Sequence, residues 1–170
     1  NYRADVTASI AGNGFYGINI TGITGTGGYF DNWYDQIDGV TLMIIYQDNG
    51  ASYQGSIVIW DGNMIGNSQT HTQTMTGINA CGNSTAANAF LIVSDMQADE
   101  VVPLGQHSST LNGTTIIFPN DFWNFDVTNT TVTSGQATAA FGTSGPWDCF
   151  DWAVMGLYYQ TTTCTTCPTP

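Results

Sequence analysis

The chain has 170 residues, one Arg, no Lys and 13 acidic residues, which gives a formal net charge of −12. A protein that binds nucleic acid or an anionic membrane surface needs clustered basic side chains to replace counterions. This composition therefore excludes both classes of partner. The length fits a single domain with its own core.

Several features indicate a secreted protein on the cell surface. No apolar run approaches the roughly 20 residues that a membrane-spanning helix needs, so we expect no membrane insertion. The chain begins at Asn1 rather than Met, from which we expect a processed, extracellular product. Four Asn-x-Ser/Thr sequons provide candidate glycosylation sites at Asn19, Asn83, Asn112 and Asn129.

The four cysteines are Cys81, Cys149, Cys164 and Cys167. In an oxidising compartment we expect structural disulfides, and four cysteines allow three pairings. We favour a bond between Cys81 and Cys149 within the domain, leaving Cys164 and Cys167 to pair locally or with a neighbouring subunit. A zinc site at the Cys-x-x-Cys pair lacks a second pair of ligands at suitable spacing.

Residues 39–62 carry the clearest strand signal. Two apolar runs flank Asn49-Gly50, a dipeptide typical of tight turns, so we predict a β-hairpin. Residues 42–45 place apolar side chains on both faces of the first strand, which we expect to be covered on both sides. The prediction is an interior strand of a two-layer β domain.

Further strands are predicted on both sides of this hairpin. They lie in residues 2–10, 15–21, 70–76, 86–94, 114–118, 121–127, 128–140 and 147–160, with turns at Asn112-Gly113 and Ser134-Gly135. The last segment is apolar on both sides, so we place it centrally, beside the hairpin. We predict an all-β fold, a two-layer antiparallel β-sandwich resembling a jelly roll, with about ten short strands. Residues 1–160 form the domain and residues 161–170 a tail rich in Thr, Cys and Pro.

Two strands carry predictions of which side chains share a face. In residues 121–127, Trp123, Phe125 and Val127 alternate with polar residues, which predicts a half-buried strand. In residues 147–160 the alternation groups Trp152, Val154 and Tyr158 on one face and Met155, Leu157 and Tyr159 on the other.

Residues 29–39 combine aromatic and acidic side chains. Asp31, Asp35 and Asp38 are candidate cation ligands, although their spacing differs from that of an EF-hand loop. We therefore expect no obligatory cofactor, with Ca²⁺ as the one candidate ion. Trp33 and Tyr34 are candidate glycan contacts, because aromatic rings stack on sugars. The alternative is that these aromatic residues cover the end of a sheet.

Candidate catalytic groups are few. His71 and His107 are the only histidines, and neither lies near a nucleophile-elbow pattern. A pair of carboxylates could hydrolyse glycosides, but about ten short strands leave little loop to build the cleft that this chemistry needs. We therefore expect a protein that is not an enzyme.

The strand edges suggest assembly instead. Monomeric β proteins commonly protect exposed edges with charged side chains, especially Lys, and this chain has none. The Thr-rich segment of residues 70–76 could also contact another chain. We predict an extracellular structural protein that assembles edge to edge with copies of itself, bound cations offsetting the negative charge. The alternative is a carbohydrate-binding or adhesive module that contacts surface glycans through Trp33, Tyr34, Trp60 or Trp123.

The segments that suggest the hairpin also resemble a known group of proteins. Residues 29–31 and 37–46, followed by residues 57–62, resemble the β domains of methanogen cell-surface proteins, in which an Asp-Gly, apolar-run, Tyr strand pairs with an apolar-run, Asp-Gly strand. Residues 151–154 are similar to their closing strand. The resemblance implies an extracellular envelope protein and no catalytic residues. The tubular sheath subunits of filamentous methanogens are similar in being acidic, poor in Lys and self-assembling.

Overall fold

The computed structural model describes residues 3–19, 39–51, 54–67, 70–80, 85–94, 108–117, 123–144 and 149–161. Eight β-strands lie in this part of the chain: β1 Gln54–Asn67, β2 Thr70–Thr76, β3 Thr85–Ser94, β4 Ser108–Leu111, β5 Thr114–Ile117, β6 Trp123–Val132, β7 Thr138–Ser144 and β8 Cys149–Thr161. Thr7–Ser9 forms one turn of 3-10 helix. No helix in the described residues has the length and apolarity that crossing a membrane requires.

The strands form two antiparallel four-stranded sheets. Sheet A has the order β1-β8-β3-β6 and sheet B the order β2-β7-β4-β5. Apart from the β4–β5 hairpin, which stays in sheet B, consecutive strands alternate between the sheets in the manner of a jelly roll, which is two interlocked Greek keys. The prediction of a two-layer antiparallel β-sandwich is confirmed. β8 pairs with β1 on one side and β3 on the other, as expected for a segment apolar on both faces.

The core lies between the two sheets. Sheet A contributes alternate residues of β3 and β8, and sheet B contributes residues of β2, β4, β5 and β7: Ala87, Ala89, Leu91, Val93, Met155, Leu157, Tyr159, Met75, Leu111, Ile116 and Ala139. Phe141 meets Trp152 edge to face, with ring centroids 5.3 Å apart. This contact joins the two sheets at one end of the core.

The prediction for residues 39–62 is right in its second half and wrong in its first. The turn at Asn49-Gly50 is present. The N–H of Ala51 donates to the carbonyl of Asp48 at 3.2 Å, and the N–H of Gly50 donates to the carboxylate of Asp48 at 2.8 Å. β1 follows. Residues 40–46 form no strand, and their side chains are exposed. The interior positions of sheet A are taken by β8 and β3, which find core on one face and neighbours on both edges.

The N-terminal strand prediction is also wrong. Residues 3–19 contain the 3-10 turn and otherwise no regular structure. The carboxylate of Asp5 accepts a hydrogen bond from the N–H of Thr7 at 2.9 Å, which favours a turn over an extended chain at this point. The predicted strand of residues 15–21 is absent from its described part, residues 15–19.

In β6 the side chains predicted to face the core lie on the opposite side of the strand. Phe125 and Val127 lie on the outer face of sheet A, whereas Asp126 lies opposite the buried Leu91 on the core side. The register with β3 decides this, because a shift of one residue would exchange the two faces.

A β-bulge corrects the predicted faces of β8. The register with β3 passes from Ile92 opposite Val154 to Val93 opposite Trp152, so Ala153 is an extra residue. Trp152 therefore joins Met155 in the core, away from Val154. Counting every second residue could not reveal this shift.

Two turns behave as predicted. Asn112 and Gly113 join β4 to β5 with φ values of 54° and 78°, the left-handed backbone that a two-residue hairpin turn requires. Ser134 and Gly135 separate β6 from β7. β6 and β7 lie in opposite sheets, so the turn carries the chain from one layer to the other.

Candidate interaction surface

The outer face of sheet A carries apolar side chains where a solvated sheet would carry polar ones. We call this set the apolar band, and the strand register places its members in adjacent rows: Ile57 and Ile59 of β1, Val154 and Tyr158 of β8, Phe90 and Ile92 of β3, and Phe125 and Val127 of β6. Phe90 and Ile92 in the centre are buried, whereas 57% of Phe125 and 48% of Val127 is exposed. Exposed apolar side chains such as Ile57, Phe125 and Val127, at the two margins of the band, are found at contact sites.

Two aromatic rings in the band lie against the backbone of the next strand. A Cβ placed on Gly156 would come within 2.7 Å of the Phe90 ring, and one placed on Gly55 within 2.7 Å of the Tyr158 ring. The two glycines therefore leave room for rings that lie over the sheet, the arrangement by which aromatic side chains shield glycines in β-sheets.

Polar groups border the band. The side-chain amide of Asn88 donates to the side-chain oxygen of Asn129 at 3.0 Å, one row beyond Phe90 and Val127. At the opposite corner Asp61 forms an ion pair with Arg3, the only Lys or Arg of the chain. The centre of the band is thus free of charge.

The outer face of sheet B is different in character. It presents Thr72 and Thr74 of β2 and Thr110 of β4 around the small residues Ala140 and Gly142 of β7. These residues line a shallow depression of about 290 Å³. A ligand pocket of comparable volume normally encloses most of its ligand, and this open, threonine-lined surface does not.

The two edges of sheet A differ. On β6, the N–H of Val127 donates to the carboxylate of Asp126 at 2.8 Å, and the carbonyl of Thr131 accepts from the side-chain amide of Asn112 at 2.9 Å. An inward-facing charge and side-chain caps are known ways to protect an edge. The expectation that all edges are unprotected is therefore wrong for β6.

The β1 edge is more open. Arg3 reaches it at Asp61, next to the bulge between Asp61 and Met64. Between Gln54 and Ile59, the described residues make no hydrogen bond to the backbone apart from the ladder with β8.

The aromatic candidates are only partly described. Trp60 is half-buried and packs against the core, and its indole N–H donates to the carbonyl of Thr76 at 2.6 Å. Trp60 therefore has a structural role, and its glycan contact stays a prediction. Trp33, Tyr34, Asp31, Asp35 and Asp38 lie outside the described residues. No group of three His, Cys, Asp or Glu side chains able to hold a metal occurs in the described part.

The sequons and cysteines are also only partly described by the structure. Asn19 and Asn129 are exposed. The side-chain amide of Asn112 donates to the carbonyl of Thr131 and to the hydroxyl of Thr130, and a glycan at that nitrogen would replace one of its two N–H groups. Asn83 lies outside the described residues, as do Cys81, Cys164 and Cys167, so the disulfide pairings stay predictions. Cys149 begins β8, with its backbone opposite Asn67.

A row of polar side chains lies on the inward face of sheet B. His71, Thr143 and Ser109 are opposite one another on β2, β7 and β4. Ser109 and Thr143 are buried, and neither hydroxyl has a hydrogen-bond partner among the described residues. His71 is half-buried in this row, and His107 lies outside the described residues.

Comparison with known proteins identifies no family. No family model matches the chain. No curated protein matches it. Among solved structures, the crystal structure of the Podospora anserina GH26-CBM35 β-(1,4)-mannanase shares 9% identity and a TM-score of 0.36, covering 66% of this chain and 29% of that chain. A likeness at this level says nothing about what the present chain binds.

The apolar band is the surface that the sequence prediction missed. Phe125 and Val127 were expected in a half-buried strand, and their alternation with polar residues gave no sign of which face meets the core. The signal that could have found the band is the pair of strands β3 and β8, which are apolar on both faces. Such strands require cover on a second side.

Proposed function

We propose that this protein is an extracellular structural subunit that associates with copies of itself through the outer face of sheet A, within a cell-envelope sheath, filament or layer. The observation that carries the proposal is the apolar band, which crosses all four strands and exposes Phe125 and Val127. The resemblance to methanogen surface proteins is in keeping with this role.

The dimensions of sheet A support the proposal. β3 and β6 each have ten residues, a length of about 33 Å, and four strands span about 19 Å. Two such faces in contact would bury at most about 1,200 Å² in total, the lower end of the range for stable protein interfaces, because Phe90 and Ile92 are already buried. Two sheets can pack face to face in this way with side chains interdigitated.

Charge influences the strength of this association. The net charge of −12 makes two copies repel each other. The band keeps carboxylates at its border, where Asp61 is already paired with Arg3. Because dissolved salt screens repulsion between exposed charges, the association should strengthen as ionic strength rises. A further gain with Ca²⁺ at equal ionic strength would indicate bridged carboxylates.

A second function uses the same face. The half-buried ring of Tyr158 lies over Gly55, Phe125 is exposed, and the amides of Asn88 and Asn129 lie beside Tyr158. Aromatic rings beside amides are groups that bind carbohydrate. The alternative proposal is a carbohydrate-binding module whose surface is the apolar band.

Sedimentation velocity of the full chain over a range of concentrations tests the first proposal. We expect wild type to form dimers or larger species and the double variant Phe125→Thr, Val127→Thr to associate more weakly, since the band loses two exposed apolar side chains while Thr keeps the preference for strand. The matched control is Thr72→Ser with Thr74→Ser on the outer face of sheet B, which should associate like wild type. A monomeric wild type at every concentration and salt would overturn the proposal.

Titration with soluble polysaccharides separates the two functions. Saturable binding that disappears in the Phe125→Thr, Val127→Thr variant, together with a monomeric wild type, would favour the carbohydrate-binding module. Self-association without saturable binding would favour the structural subunit.

A further inference from the structure

Residues 40–46 are an apolar segment left outside the sandwich. Their composition is that of a strand, yet 55% of Ile44, 60% of Ile45 and 81% of Tyr46 is exposed. Burying one large aliphatic side chain stabilises a protein by about 1.5–3 kcal/mol, so leaving several exposed is unfavourable. The segment needs an apolar partner.

The turn that follows the segment is already formed. Asp48 accepts hydrogen bonds from the N–H groups of Gly50 and Ala51. A two-residue turn at this point defines a register with β1, in which Leu42 lies opposite Ile57 and Ile44 opposite Gly55. The chain nevertheless makes no ladder between residues 40–46 and its own β1.

The same register fits the faces of sheet A. Ile57 and Gly55 lie on the outer face, beside Tyr158 and its ring. A strand paired in this way would add Leu42 and Ile44 to the apolar band and widen it by about 4.8 Å. The acceptor is the half of β1 from Gln54 to Ile59, whose residues lie opposite residues 40–45 in this register.

We infer that residues 40–46 form a strand on the β1 edge of a second copy of this chain. The pairing a chain could make with itself is equally available between copies, and strand exchange of this kind is a low-cost route to assembly. The inference rests on the proposed self-association and deepens it. Contact through the apolar band alone yields closed pairs, whereas each donated strand links one further copy, and the two together build filaments or layers.

Lysine substitutions in the segment test the inference. Lys is the residue that most often protects strand edges, so Leu42→Lys with Ile44→Lys should remove all species larger than the dimer and leave the dimer unchanged. The control is Ile18→Lys, since Ile18 is 60% exposed in another segment without regular structure. If larger species persist in the double variant, the inference fails while the proposed self-association stands. If wild type itself is monomeric, the proposed function fails as well.

A cross-linking experiment gives a second readout that does not depend on the stability of a variant. Isotopically light and heavy chains, each with the photo-reactive residue p-benzoylphenylalanine in place of Leu42, are mixed, assembled and irradiated. We expect mass spectrometry to find cross-links from position 42 to residues 54–59 that join light to heavy chains. Cross-links confined to chains of one isotope would show that the segment folds back on its own β1, and would overturn the inference.

Discussion

The side-chain amide of Gln136 donates a hydrogen bond to the side-chain oxygen of Asn112 at 2.6 Å. Asn112 lies in the β4–β5 turn of sheet B, and its own amide donates to the carbonyl of Thr131 in sheet A. Gln136 follows the turn after β6 and also accepts from the N–H of Thr133 at 3.0 Å. One asparagine thus joins both sheets and the connection between them.

Replacing Asn112 should destabilise the sandwich. Asn112→Ala removes three side-chain hydrogen bonds and places Ala at φ 54°, so we expect the free energy of unfolding to fall by about 2–4 kcal/mol. Gly adopts this backbone conformation without strain, so the free energy of unfolding of Asn112→Gly should fall by less. Urea unfolding measures both. Asn88→Ala, which removes an exposed amide pair, is the control and should change stability by less than about 0.5 kcal/mol. An equal effect of the two alanine variants would contradict the role of Asn112.

A side chain at Gly156 should disrupt the packing of the apolar band and the hydrogen bonds between β8 and β1. Its Cβ would lie 2.7 Å from the backbone oxygen of Val58 and would collide with the Phe90 ring. Because the backbone cannot move away cheaply, we expect Gly156→Ala to lower the midpoint of thermal unfolding, with a loss of about 1–3 kcal/mol. Gly62→Ala is the control, since a Cβ there meets nothing within 4 Å. Comparable midpoints for the two variants would show that the ring and strand adjust freely.

Removing a buried hydroxyl should increase stability. Thr143 is 3% exposed, and its Oγ1 has no hydrogen-bond partner among the described residues. Val has nearly the same shape without the polar atom, so Thr143→Val should raise the free energy of unfolding by about 1 kcal/mol. Chemical denaturation measures this change. Destabilisation would instead reveal a partner for the hydroxyl, such as a buried water.

The 3-10 turn at Thr7–Ser9 should depend on pH. The backbone N–H of Thr7, and then its hydroxyl, hold the pKa of Asp5 below its ordinary value of 3.8. Because the folded pKa is lowered, the local stabilisation is complete above pH 3.8 and is lost as the pH falls through the lowered pKa. NMR of the Thr7 amide during acid titration should show a shift with its midpoint below 3.8. Asp5→Asn should abolish this titration while leaving the spectrum of the strands unchanged.

The class of the fold could be read from the sequence because it depends on local patterns. The Asn112-Gly113 dipeptide tolerates the positive φ values that a tight hairpin requires, so the turn between β4 and β5 was predictable. β8 was predictable as a central strand because apolar side chains on both faces need neighbours on both. Residues 40–46 have the same apolar pattern but form no strand, because a sheet has a limited number of interior positions.

The sequence by itself determined an acidic, lysine-free, all-β chain with its principal turns and its central closing strand. Only the tertiary structure decided which side of each strand meets the core. Alternation has a period of two and is identical for both faces, so the exposure of Phe125 and the burial of Trp152 depended on the register with β3 and on one bulge. These are relations between segments distant in the chain, and they create the apolar band.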